Sequence, residues 1–280
     1  MSLPPGELIA WFDREGRDLP WRAEGVSAWQ ILVSEFMLQQ TPVARVLPIW
    51  IDWVARWPTP SATAAAGSAD VLRAWGKLGY PRRAKWLHEC AVAIARDHGD
   101  VVPADVAALV ALPGIGSYTA RAVACFAYRQ AVPVVDTNVR RVIARAVHGR
   151  ADAGSPAPVR DEADVVVLLP EDALAPRFSA ALMELGALVC TARNPKCGVC
   201  PLSHCAWRAA GFPPGSRWPC RTTVFMNGRA ASSRSCWCAR EWRPPRRGDR
   251  SRCIACMGST RIRSRPCWRG CRPASNASCS

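Results

Sequence analysis

Two carboxylates and four thiols stand where residue type and spacing imply chemistry. Glu35 lies in WQILVSEFMLQQTPV, residues 29–43, a largely apolar stretch with helical spacing. A carboxylate on such a helix is costly to bury as a charge, so its pKa would rise and a protonated acid would be at hand near neutral pH. On spacing alone, a surface glutamate on an amphipathic helix is the stronger reading. Asp136 stands twenty positions beyond Gly116 in LPGIGSYTARAVACFAYRQAVPVVDTNV, residues 112–139, at the expected start of another helix. There it could do no more than cap Thr137–His148. Gly114 and Gly116 free the backbone for a sharp turn whose N–H groups can approach an anion, a grip on phosphate that reads no base. Cys190, Cys197, Cys200 and Cys205 form a C-x6-C-x2-C-x4-C array within sixteen residues. Four thiolates so spaced make a closed metal site, and spacing does not choose between zinc and a 4Fe-4S cluster.

These groups ride on a succession of helices. Apolar residues recur at three- and four-residue intervals from Gly6 to about Ala210, with turns marked by Pro, Gly and Ser and no strand-like alternation. An all-α fold is expected, with helices near 5–15, 28–38, 42–55, 61–66, 68–76, 82–98, 104–111, 117–128, 137–147, 158–168, 177–188 and 198–210. Ser27 is expected to cap the second, Pro42 to occupy the first turn of the third, and Ser68 to start the fifth ahead of Asp70. Trp11, Trp29, Trp50, Trp53, Trp57, Trp75 and Trp86 sit at helical spacing, which places most of them in the core rather than among base-stacking platforms.

The formal charge of the 280 residues is +15. Residues 1–210 hold 22 Lys and Arg against 20 Asp and Glu, whereas 211–280 hold 15 Arg against Glu241 and Asp249. The basic balance therefore belongs to the tail and not to the helical part. No N-terminal basic-then-apolar segment resembles a signal peptide, and no apolar run reaches the roughly 18 residues of a membrane helix. A cytoplasmic protein is expected, in which clustered cysteines favour metal over disulfides.

The glycine hairpin, taken with Val132, Pro133 and Asp136, resembles the helix-hairpin-helix and Gly/Pro-rich-loop-Asp signature of the base-excision DNA glycosylases. The cysteine array resembles the 4Fe-4S loop of the endonuclease III and adenine glycosylase branch, with four residues instead of the usual five between its last two cysteines. SEFMLQQT, residues 34–41, resembles the motif of the MutY-type adenine glycosylases, which remove adenine mispaired with 8-oxoguanine.

That resemblance implies a helix-hairpin-helix glycosylase fold. A six-helix domain would span 28–136, and a second helical domain, 137–212, would hold one 4Fe-4S cluster on Cys190, Cys197, Cys200 and Cys205 with residues 1–27 packed against it. Glu35 would be the general acid and Asp136 the ionised partner, while Tyr118 and Asn138 place sugar and water. Leu38, Gln39, Gln40 and Thr41 would lie at the adenine pocket and wedge beside the lesion; Trp21 and Arg22 of LPWR would line that pocket. Tyr80 of LGY would intercalate, with Pro81 in place of the family's second tyrosine, and Gly114 and Gly116 would hold DNA. Ala180 stands where the family carries Gln or Glu to read adenine. Bifunctional relatives have lysine at the position of Tyr118; tyrosine forms no imine, so a monofunctional enzyme that leaves an abasic site is implied. Its partner would be double-stranded DNA with A:8-oxoguanine or A:G mispairs, and the enzyme a monomer.

Two other functions fit parts of the sequence. An endonuclease III-like pyrimidine glycosylase with lyase activity shares fold and cluster but leaves Glu35 without a task. A non-catalytic helix-hairpin-helix DNA-binding protein leaves both carboxylates without one. From about Pro213 the chain has no leucine or lysine and repeats Arg, Ser, Pro, Cys and Trp without period. So poor in aliphatics, residues 213–280 read as a disordered basic arm or, the preferred expectation, as GC-rich coding sequence translated out of frame in place of a lesion-recognition domain.

Overall fold

In the computed structural model, which describes residues 3–171 and 173–215, every regular element among the described residues is helical. The order is α1 Pro5–Glu15, α2 Ala28–Leu38, α3 Val43–Arg56, α4 Pro60–Ala64, α5 Ser68–Trp75, α6 Arg82–Asp97, α7 Val106–Ala111, α8 Ser117–Tyr128, α9 Thr137–Ala146, α10 Pro158–Val166, α11 Ala175–Leu188 and α12 Ala206–Ala209. Short 3-10 turns at Pro20–Arg22, Gly76–Leu78 and Cys197–Val199 join them. The expectations for the tail fall, from residue 216 onward, outside the described residues.

Local chemistry sets several starts. Ser27 closes a capping box on α2: its Oγ accepts the Gln30 N–H at 3.3 Å while Gln30 Oε1 accepts the Ser27 N–H at 2.9 Å. Asp105 caps α7 through the Ala108 N–H at 2.8 Å. Ser68 begins α5 ahead of Asp70 as expected, behind the N-cap residue Gly67. Two expectations need correction. Pro42 is the residue before α3 and not part of its first turn. The helix expected over 198–210 is a single 3-10 turn and the one-turn α12, because Pro201 lacks an N–H and cannot continue a helix.

Two hydrophobic cores organise the rest. The first gathers α2 to α8 with Leu19 and Trp21, and the second gathers α1, α9, α10 and α11 with Leu202. Helix α2 buries eight of its eleven residues, Glu35 included, because it is apolar around most of its circumference and is packed by α3, α6 and α8. A small cluster of Ala122, Cys125 and Val134, with Tyr118 and Met183 against it, marks the seam where α8 meets α11. Trp53 stacks edge-on against Trp57 at 4.8 Å and Trp75 at 6.1 Å, as expected of core tryptophans. Trp86 departs from that expectation. It is 36% exposed, and the Arg82 guanidinium lies 5.2 Å from its ring.

The hairpin between α7 and α8 rests on Trp86. Gly114 has φ +75°, and a Cβ built there would meet Trp86 Cβ at 2.5 Å and Phe36 Cε1 at 3.1 Å. Gly114→Ala combines a left-handed backbone with a clash, so urea unfolding should show a loss of about 2 kcal/mol or more. An unchanged midpoint would mean that the hairpin does not depend on this close approach.

Candidate active site

Glu35 projects from α2 with only 7% of its surface exposed. Burial lifts its carboxyl from an ordinary 4.5 to about 7; the Tyr118 hydroxyl, hydrogen-bonded to it, opposes the rise, nearby Asp136 adds to it and Arg22 opposes it. Tyr118, in the first turn of α8, is itself held well above 10 by burial and by the two carboxylates, so it stays a neutral donor.

Asp136 caps α9. One carboxylate oxygen accepts the Val139 N–H at 2.7 Å and the other accepts from Asn138 Nδ2 at 2.8 Å. Burial raises its pKa above the ordinary value; these donors and Arg141 only limit the rise, and the positive end of a helix favours an anion. The Asp136 anion thus has donors aimed at it that the Glu35 carboxyl lacks. Capping and chemistry are not alternatives at Asp136, since the cap is what steadies the charge.

Helix α9 is seated closely on α11. Gly186 of α11 has no room for a side chain, because a Cβ there would lie 2.6 Å from Asn138 Cβ. Arg141 fastens the crossing: Nη2 donates to Asn138 Oδ1 at 2.7 Å and to the Gly186 carbonyl at 2.6 Å, and Nε donates to the Cys190 carbonyl at 2.7 Å. A hydrogen-bonded chain thus runs from Asp136 through Asn138 and Arg141 to the first cysteine of the loop. Arg141 was not singled out by sequence, where it reads as one of several arginines on an amphipathic helix.

A cleft of about 1400 Å³ opens along the seam. It brings Glu35, Tyr118, Asp136 and Asn138 together with Trp21, Arg22, Leu38, Gln39, Gln40, Thr41, Gly114 and Gly116. Tyr80 lies outside the lining, 62% exposed at the turn between α5 and α6. Ala180 lines the cleft, and one turn further along α11 so does Glu184, which sequence reasoning passed over. Glu184 is fully buried; Arg17 donates to it from Nε at 2.6 Å, from Nη2 at 2.9 Å and from its backbone at 3.0 Å, and Arg22 adds Nη2 at 2.9 Å. Burial pushes this carboxyl up, yet the two arginines outweigh it and hold the pKa at about 2. The signal that flagged Glu35, a lone glutamate in an apolar helical run, was present at Glu184 too.

Cys190, Cys197, Cys200 and Cys205 are all partly buried and free of disulfides, and the Cys200 thiol senses the other three. Arg145 Nη1 lies 3.5 Å from Cys190 Sγ. Among the described residues no group of three or more His, Cys, Asp or Glu side chains is drawn together closely enough to hold a single ion. Four cysteine thiolates are a donor set that a 4Fe-4S cluster accepts.

Residues 33–164 match the HhH-GPD superfamily base excision DNA repair protein family, and residues 190–204 match the iron-sulfur binding domain of endonuclease III. The second match begins on Cys190 and stops one residue short of Cys205; it selects iron over zinc, so the loop carries one 4Fe-4S cluster. An adenine DNA glycosylase of Mycobacterium tuberculosis is 75% identical over 218 residues, 78% of this chain and 72% of that protein. One of Mycolicibacterium smegmatis is 73% identical over 216 residues, 77% and 73% of the two chains. The human adenine DNA glycosylase is 39% identical over 205 residues, 70% of this chain and 38% of that protein. Among solved structures, a thermostable thymine-DNA glycosylase superposes with a TM-score of 0.67 at 27% identity, over 74% of this chain and 95% of that one. A trapped endonuclease III–DNA covalent intermediate superposes at 0.63 with 19% identity, over 75% and 95%, a likeness of fold alone.

Because the folded pKa of Glu184 lies below its ordinary 4.5, its contribution to stability is present above pH 4.5 and is lost as pH falls toward 2. That contribution is at most about 3 kcal/mol, since half-exposed Arg17 is screened by solvent. Urea unfolding of the parent and Glu184→Gln should show a gap at pH 7 that narrows by pH 3. A gap that is constant or grows with acid would contradict the pairing.

Proposed function

Since the chain belongs to the adenine DNA glycosylase family and has the helix-hairpin-helix fold of DNA-binding base-excision enzymes, we propose that it hydrolyses the glycosidic bond of adenine mispaired with 8-oxoguanine or guanine and leaves the strand intact. The observation that carries this proposal is the pairing in one cleft of a carboxyl lifted by burial to about 7, Glu35, with a carboxylate that caps a helix and accepts two hydrogen bonds there, Asp136.

Adenine extruded from the duplex enters the cleft between Trp21 and Arg22 on one side and Leu38 on the other. Glu35 donates its proton to N7, so the base departs neutral. The sugar left behind has oxocarbenium character, and ionised Asp136 stabilises it. Tyr118 and Asn138 hold the sugar and the incoming water, which completes hydrolysis. No amine stands at Tyr118, so no imine forms and no strand is cut. Gln39, Gln40 and Thr41 lie at the mouth of the cleft, Tyr80 meets the duplex beside the lesion, and the turn at Gly114 and Gly116 grips a phosphate. The cluster on Cys190, Cys197, Cys200 and Cys205 acts as a structural tie for its loop.

The same proposal divides the helical part into a domain over 28–136 and a cluster domain over 137–212 with residues 1–27; the two cores support the division of the helices, but Leu19 and Trp21 pack into the first core, so only the α1 part of 1–27 goes with the second. The enzyme is taken to act as a monomer in the bacterial cytoplasm.

A duplex with one adenine opposite 8-oxoguanine, incubated with the enzyme and then split between alkali and no treatment, should break only after alkali. Breaks without alkali would establish a lyase, and none in either half would remove the activity. Asp136→Asn should abolish turnover while duplex binding persists; a near-normal single-turnover rate would exclude Asp136 from the chemistry. Because Glu35 acts protonated and Asp136 ionised, the single-turnover rate should fall about tenfold per unit above about pH 7, and should fall again in acid where Asp136 takes up a proton. A rate that climbs above about pH 7 would mean that Glu35 works as a base.

A further inference from the structure

We propose that Arg83 is a positioning residue that sets the DNA wedge, joining the end of α2 that bears Gln39 and Gln40 to the turn that bears Tyr80. This inference rests on the duplex contacts assigned to Gln40 and Tyr80 above.

Arg83 lies in the first turn of α6 and is 4% exposed. Its Nη1 donates to the carbonyls of Phe36 at 2.9 Å, Met37 at 3.1 Å and Gln39 at 2.6 Å. Its Nη2 donates to Thr41 Oγ1 at 3.0 Å and to the carbonyls of Leu78 at 3.3 Å and Gly79 at 3.3 Å. Four N–H groups therefore face six oxygens, three from the α2 C-terminus, two from the LGY turn, and Thr41 between them. A helix end leaves its last carbonyls without partners, and here one buried side chain from another helix supplies them.

The two segments so joined share an unusual backbone. Gln40 has φ +56° and Tyr80 has φ +49°, the left-handed region that side-chain-bearing residues occupy only when their surroundings impose it. Both are exposed. The guanidinium lies 5.5 Å from the Tyr80 ring and 5.2 Å from the Trp75 ring, so it also fixes an aromatic that solvent would otherwise leave to rotate. A planar fork with fixed donor directions can hold two loops in register. An ammonium on a flexible stem cannot, so lysine keeps the charge and loses the register.

The test is a double-variant cycle on the full chain with its cluster. Single-turnover rates on adenine opposite 8-oxoguanine are compared for the parent, Arg83→Lys, Tyr80→Ala and the double variant. Each is assayed at a temperature where its circular dichroism matches the parent's. Arg83→Lys should slow base release on the order of ten- to a hundredfold, the cost of misplacing a contact group by about an ångström. The double variant should lose less than the product of the two single losses, because Arg83 acts in part through Tyr80. The pH profile of Arg83→Lys should keep the parent's shape, since the acid at Glu35 is not the group disturbed. An unchanged Arg83→Lys rate, losses that multiply in the double variant, or a shifted pH profile would overturn the inference while leaving the glycosylase assignment intact. A Tyr80→Ala variant with the parent's rate would instead overturn the wedge assignment itself, and this inference with it.

Discussion

A carboxyl group sealed inside an apolar helix must surrender its charge unless donors compensate for the lost water, and at Glu35 the compensation is partial. One phenol reaches it, while Asp136 across the cleft repels its ionised form. The proton it keeps at neutral pH is thus a consequence of packing on all sides of α2. Asp136 is also deprived of water, yet its position at the start of α9 supplies a backbone N–H and an amide donor. The two acids differ by what surrounds them and not by residue type. Each also sustains the other's state, because the anion raises the acid's pKa.

That division of labour requires α2 and α8 from one core to stand at a fixed distance from α9 and α11 of the other. Within the second core a glycine lets α9 and α11 close up, since a Cβ at Gly186 would lie 2.6 Å from Asn138 Cβ. Arginines then fasten the segments. Arg17 and Arg22 bind Glu184 from the N-terminal segment, Arg141 ties α9 to α11 and to the cysteine loop, and Arg83 closes the end of α2. The guanidinium suits this work because five fixed N–H directions can serve carbonyls from several segments at once.

Features governed by neighbours in the chain were legible without coordinates. The capping box at Ser27, the glycine turn before α8, the cap at Asp136 and the clustering of four cysteines all follow from residues a few positions apart. Where local pattern and local constraint conflict, the pattern misled: the apolar spacing after Cys197 suggested a long helix, and Pro201 together with the cysteine loop permits two single turns. Trp86 looked like its neighbours in the pattern, but the hairpin passes over only part of its ring and Arg82 takes the rest. Arg83, Arg141 and Glu184 were missed because a charged residue on an amphipathic helix reads as solvated until the partner helix is known.

The sequence by itself determined that this is a helical protein with a glycine-tight hairpin, a four-thiolate loop and two carboxylates worth examining, since turns, caps and ligand spacing are short-range properties. Only the tertiary structure decided how burial and donors divide between the two carboxylates, which arginines join separate segments, and that Glu184 shares the cleft. Those outcomes depend on desolvation and on partners more than forty residues away for Arg83 and more than one hundred and sixty for Arg17, distances over which periodicity carries no information.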